Sequence, residues 1–201
     1  GALKTFIDKI RKERESEKNF FERRGLHFRI FYSTDIDQQD IATAGWALEH
    51  AYQEHRMFLG DAPKGDIPAV FYSSKYKFTS THDLTSNVAG IYDGKVRLPI
   101  PDRPEWEAIK KTISHEVAHA FLFDIGGPTI PLWLNEGLAV LLAEGKDRQT
   151  ASLDQLLKKG EPLMPIRELN ATLKNLKNNT QASLAYDQSY SIAKFIHGRF
   201  G

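Results

Sequence analysis

Apolar and polar positions alternate with a short period early in the chain and with a helical period later. Residues 3–24 read as a charged helix. Leu3, Phe6, Ile7 and Ile10 form one apolar stripe and Phe20 and Phe21 another, and the polar stretch 11–18 between them reads as the solvated face of a projecting helix. Residues 27–32 and 69–72 have the β-rich, alternating pattern of strands. Between them, Ile41, Ala44, Leu48, Ala51 and Tyr52 fall at helical spacing and predict a long helix over 37–59. Residues 88–92 and 95–100 predict a hairpin folded about a two-residue turn at Asp93-Gly94. From residue 105 the pattern is helical. Helices are expected over 105–126, 131–144, 152–159, 166–173 and 182–200, with Leu184, Ile192, Phe195 and Ile196 of the last one facing inward. Strands first and helices afterwards make an α+β chain, with a leading charged helix (1–25) and one domain (26–201) made of a β-rich lobe (26–104) and a helical lobe (105–201).

Within the helix over 105–126 stands His115-Glu116-Val117-Ala118-His119. Two histidines four apart share one helix face and rise roughly 6 Å along the axis, so both imidazoles can reach one ion. Glu116 is turned about 100° away and can instead take a proton from a water at that ion. Ile113, Val117, Ala118, Ala120 and Phe121 make the rest of this helix apolar.

Composition narrows the ligand set. There is no cysteine, so a third ligand has to be histidine or carboxylate. A third histidine at the extended H-E-x-x-H-x-x-G-x-x-H spacing is excluded, because Leu122 and Ile125 occupy the Gly and His positions. Glu136, in the apolar turn Trp133-Leu134-Asn135-Glu136-Gly137-Leu138-Ala139, is the remaining choice, with Asp124 and Glu144 as weaker ones. The formal net charge of +1 gives no electrostatic case for nucleic acid, and the glutamates interleaved with the basic residues of the leading helix weaken it further. No apolar run is long enough to span a membrane, and no signal-peptide pattern opens these residues. Among the other histidines, His82 reads as an ordinary surface residue of a polar loop, and His27 as structural.

The two segments, HEVAH and WLNEGLA, resemble the gluzincin zinc metallopeptidases, and more narrowly a bacterial peptidase domain of the MA-like type. The resemblance implies a zincin-like α+β fold with the active site between the lobes, one Zn²⁺ per chain on His115, His119 and Glu136, and hydrolysis of peptide or protein substrates with Glu116 as general base. Thermolysin-type gluzincins carry an Asp four residues after the Glu ligand; Val140 stands there, so the groups that orient the histidines differ. Ala185-Tyr186-Asp187-Gln188-Ser189-Tyr190 is similar to a segment of zinc aminopeptidases in which a Tyr hydroxyl stabilises the oxyanion, which implies that role for Tyr186; Tyr190, one turn further on, is the runner-up for it and a candidate substrate contact. Zincins hold substrate as an added strand, which points to the segment with Gly90 and Ile91. Gly90-Ile91-Tyr92-Asp93-Gly94 loosely resembles the Gly-rich aminopeptidase signature, although a plain hairpin turn is the stronger reading of Asp93-Gly94. Family analogy alone suggests an exported or cell-envelope location. The alternatives are a silent zinc-containing peptide-binding module and a zinc hydrolase acting on another bond.

Overall fold

The computed structural model describes residues 2–176 and 178–200, without the side chains of Ala2 and Phe6; the Phe6 position of the expected stripe therefore lies outside the described residues. Two compact units divide the chain, residues 1–120 and 121–201.

The first unit is built on a five-stranded mixed sheet of order β1-β2-β3-β5-β4, from β1 (Phe21–Arg24), β2 (Phe28–Tyr32), β3 (Ile67–Tyr72), β4 (Ile91–Tyr92) and β5 (Val96–Pro99). The centre is parallel (β2 with β3, β3 with β5) and both edges are antiparallel. The parallel pair β2–β3 needs a crossover, and the helix α2 (Gln38–Leu59) supplies it. Asp37 caps α2 by accepting the Gln39 amide proton (2.7 Å), and Gly60 ends it in the left-handed region at φ 73°. One βαβ unit therefore sits inside an otherwise α+β chain. Ile41, Ala44, Leu48, Ala51 and Tyr52 of α2 are buried, as their spacing predicts.

On the other sheet face, Val70, Tyr72 and Phe78 form a buried cluster joined by Phe20, Phe31, Leu84, Val88 and Ile91. Phe78 comes from α3 (Lys75–His82), a helix in a stretch without a readable apolar stripe. Ser74 starts it by accepting the Lys77 amide proton (3.1 Å).

The leading helix, α1, ends at Glu17. Residues 21–24, expected as its last turn, form the edge strand β1 instead, where Phe21 sets its ring edge-on to Tyr32 across the pair. The middle of α1 is also not wholly solvated: Glu13 and Glu17 are half-buried, whereas Leu3, Ile7 and Ile10 are exposed. The hairpin differs in detail. Tyr92 pairs with Val96, so the loop is three residues, Asp93-Gly94-Lys95, and only Gly94 has positive φ.

α4 (Trp106–Gly126) runs from the first unit into the second. A short 3-10 turn over Gly127–Thr129 follows it. The second unit further contains α5 (Leu132–Glu144), α6 (Ala151–Lys158), α7 (Ile166–Lys174) and α8 (Asn179–Phe200). α8 is its spine. Its buried positions are Ala185, Asp187, Gln188, Ser189, Tyr190 and Ala193, while Phe195 and Ile196 point outward, contrary to the apolar pattern. The reason is close approach: a Cβ on Gly137 of α5 would lie 2.3 Å from the Ser189 carbonyl oxygen, so small and polar residues line the seam. Asp187 caps α6 from outside, accepting from the Ser152 and Leu153 amides and from Arg148.

Candidate metal centre

α4 places His115, Glu116 and His119 on consecutive turns, with Glu116 buried and the two histidines half-buried. The rings meet edge to face and their Nε2 atoms are 3.1 Å apart. Two ligands of a tetrahedral zinc at ~2.05 Å each are separated by ~3.3 Å, so this spacing suits one shared ion. His115, His119 and Glu136 each offer a ligand atom, and these atoms all lie within 4.8 Å of one another. The expected metal-ligating residues are thus gathered, and two imidazoles with one carboxylate make a donor set suited to zinc.

Glu116 has a close backbone neighbour. A Cβ on Gly90 would come within 3.0 Å of Glu116 Cγ and Oε1 and 2.8 Å of Thr112 Cγ2. The segment expected to hold substrate therefore lies directly against the proposed base, and a side chain at position 90 would have to displace Thr112 and Glu116. Ile91 follows it on the edge strand β4.

His55 was not singled out by its spacing, yet it is fully buried. Its Nε2 lies 2.8 Å from the Ser114 carbonyl oxygen, so the neutral ring donates a proton there and holds the backbone one residue before His115. Burial pushes its pKa down to about 4, with smaller opposing and assisting effects from the Ser114 carbonyl and His115.

The two tyrosines occupy different surroundings. Tyr186 is half-buried and packs on Leu169, Leu173 and Ala185 together with Leu132 and Trp133, which open α5 one turn before Glu136. Tyr190 is buried, and its hydroxyl donates to the Gly145 carbonyl at the far end of α5 (3.0 Å). That end is roughly 13 Å along the helix from Glu136.

A second group, Glu13, His82 and Asp93, also has ligand atoms within 4.8 Å of one another. His82 is buried at the end of α3 rather than on the surface. Cations already serve these oxygens. Arg97 bonds Glu13 (3.1 Å), Glu17 (2.6 Å) and Asp93 (2.8 Å), Lys9 lies 3.8 Å and 3.9 Å from Glu13 and Asp93, and Lys95 lies 3.9 Å from Glu17. Three carboxylates face three cations, so the charge balances without an ion. Arg97 carried a legible signal: a lone arginine in the apolar run Val96-Arg97-Leu98-Pro99-Ile100 needs a buried partner.

An α+β fold with a mixed sheet and a histidine-glutamate-histidine helix is a zincin-like arrangement. The family model described as the Peptidase MA superfamily matches residues 100–201, just over half of the chain, and the chain belongs to that superfamily. No curated protein matches the chain. Membership supports a metallopeptidase-like function acting on peptide or protein substrates. No helix among the described residues is long and apolar enough to cross a membrane.

Proposed function

We propose that the protein is a zinc-dependent peptidase in which His115, His119 and Glu136 hold one Zn²⁺ and Glu116 is the general base. The convergence of these three ligand atoms beside an intact Glu116 carries the reading. A zinc ion held there supplies Lewis acidity, lowering the pKa of water and polarising a carbonyl. Glu116 takes the proton from the attacking water and passes it to the leaving amine. Its burial keeps that carboxylate out of bulk water, and Gly90 backs it from one side. The extended substrate pairs with the segment of Gly90 and Ile91, which leads into β4 at the edge of the sheet. Tyr186 donates its hydroxyl to the developing oxyanion; its place on the same apolar cluster as Leu132 and Trp133 of α5 supports this role.

The test is a set of three variants, assayed on an unbiased peptide mixture by mass spectrometry with zinc content measured in parallel. Glu116→Gln is expected to keep about one zinc per chain and lose turnover by at least ~10³-fold. Glu136→Ala is expected to lose the zinc, and Tyr186→Phe to keep it with turnover reduced ~10²-fold. Full turnover in Glu116→Gln would sink the proposal. A zinc-loaded wild type that binds peptides and cleaves none would mark a binding module instead.

A further inference from the structure

We propose that α1 is a positioning strap for the segment that backs Glu116, acting through Arg97 and Asp93. The proposal rests on the reading of Glu116 as the base for its effect on turnover; its mechanical part does not.

The strap begins on α1. Glu13 and Glu17, one turn apart, both bond the guanidinium of Arg97, whose side chain is only 2% exposed. Tyr72 shares this knot: its hydroxyl donates to Glu17 Oε1 (2.5 Å) and accepts from Arg97 Nη1 (3.0 Å). The third side of the guanidinium, Nε, donates to Asp93 Oδ1 (2.8 Å). Asp93 opens the loop after β4, a strand of two residues at the edge of the sheet. Immediately before β4 comes Gly90, against Glu116 and Thr112. Besides the pairing of β4 with β5, the segment 88–93 is thus held by side chains at both ends, at the Val88 carbonyl by Lys75 and at Asp93 by Arg97. Two of the three carboxylates around Arg97 belong to α1.

Two features make this more than ordinary packing. A buried guanidinium stripped of its carboxylates is costly, so losing α1 forces Arg97 to move or to draw water. Such a movement reaches Asp93 first, because Arg97 and Asp93 hold each other directly. Also, the described apolar side chains of α1, Leu3, Ile7 and Ile10, are exposed. Polar contacts of its second half therefore hold the helix: the Arg97 knot, Ser16 with Thr81 (2.9 Å) and Lys12 with Asp83 (2.5 Å). A helix held by charge can be released without unfolding a core. α1, Gly90 and Arg97 all precede the matched residues 100–201, so the strap belongs to the part of the chain that the family match does not cover.

The experiment compares the double variant Glu13→Gln/Glu17→Gln, Asp93→Asn, and all three changes together, with amide hydrogen exchange, zinc content, kcat and KM as readouts. The double variant is expected to keep about one zinc per chain and to speed exchange at residues 88–92 by about tenfold. Its kcat should fall about tenfold, since small displacements near a reacting group are costly. Added to Asp93→Asn, the double change should lower kcat no further, which a merely destabilised helix would not explain. Faster exchange confined to α1, with 88–92 unchanged, overturns the strap. If the double variant does not fold, Asp93→Asn alone decides: exchange at 88–92 must rise while α1 stays protected. If the wild type cleaves no peptide, the peptidase reading fails, while the exchange result still settles whether α1 holds the segment.

Discussion

At the scale of single residues, the arrangement depends on side chains whose partners lie far away in sequence. His55 stands 59 positions before the carbonyl it serves, and the bond it makes fixes the backbone beside His115. That bond needs a neutral ring. The folded pKa is about 4, below the ordinary 6.5 that the unfolded chain shows. Above pH 6.5 neither state protonates His55, and its contribution to stability is complete. As pH falls from 6.5 toward 4 the unfolded state takes up the proton and the folded state does not, so stability is lost; below about 4 both bind it and the loss stops. The shift corresponds to on the order of 3 kcal/mol. His55→Gln keeps a donor for the Ser114 carbonyl and cannot titrate. Denaturant unfolding of metal-stripped protein should show a flatter pH dependence between 6.5 and 4 in this variant. Equal slopes in the variant and the parent would contradict the assignment.

At the scale of elements, the closest fit is that of α5 on α8. Gly137 immediately follows Glu136, so the seam that admits no side chain also fixes the turn that presents the carboxylate. Gly137→Ala would place a methyl 2.3 Å from the Ser189 carbonyl oxygen, a backbone atom that cannot swing aside. A loss of about 1–3 kcal/mol is expected, as for overpacking elsewhere, with weaker zinc binding because Glu136 shifts with its helix. Thermal unfolding and zinc titration check both parts. A variant as stable as the parent would mean that the helices separate freely. The same seam explains where sequence and structure part. α2, α4, α5 and α7 were legible within a residue or so at each end, because their apolar spacing or their Asp, Glu and Pro starts are local signals. The grouping of His115, His119 and Glu136 could be anticipated for the same reason, since spacing on two helices is local information. α3 was not legible, because one buried Phe78 in a polar stretch leaves no stripe. Nor was the inward face of α8, where approach to Gly137 selects Ser189 and Ala193 over Phe195. β1 was hidden because Phe20 and Phe21 fit a helix as well as a strand. The role of Arg97 needed three carboxylates brought together by tertiary structure, which no spacing rule contains.

At the scale of the whole molecule, the family match and the folding units do not coincide. The match begins at residue 100, whereas the first compact unit runs to residue 120. Residues 106–120 of α4, with the candidate ligands His115 and His119, therefore lie inside a unit whose sheet precedes the match. Ile109, Ile113, Val117 and Ala118 are buried on this stretch of the helix, Ser114 is held by His55, and Glu116 is backed by Gly90. A fragment of residues 100–201 loses α2, the sheet and Gly90 together. Exposing the two isoleucines and the valine alone costs about 1.5–3 kcal/mol each, a sum comparable with the whole stability of a typical domain. The fragment is expected to show no cooperative thermal unfolding by circular dichroism and to bind zinc at least about a hundredfold more weakly than the full chain, because its ligands are no longer held before the ion arrives. A fragment that melts cooperatively and binds one zinc with the full chain's affinity would show the opposite, that the matched half is self-sufficient. Under the expected outcome, the matched half supplies the chemistry, and the first ninety-nine residues supply the support that keeps His115, Glu116 and His119 in place.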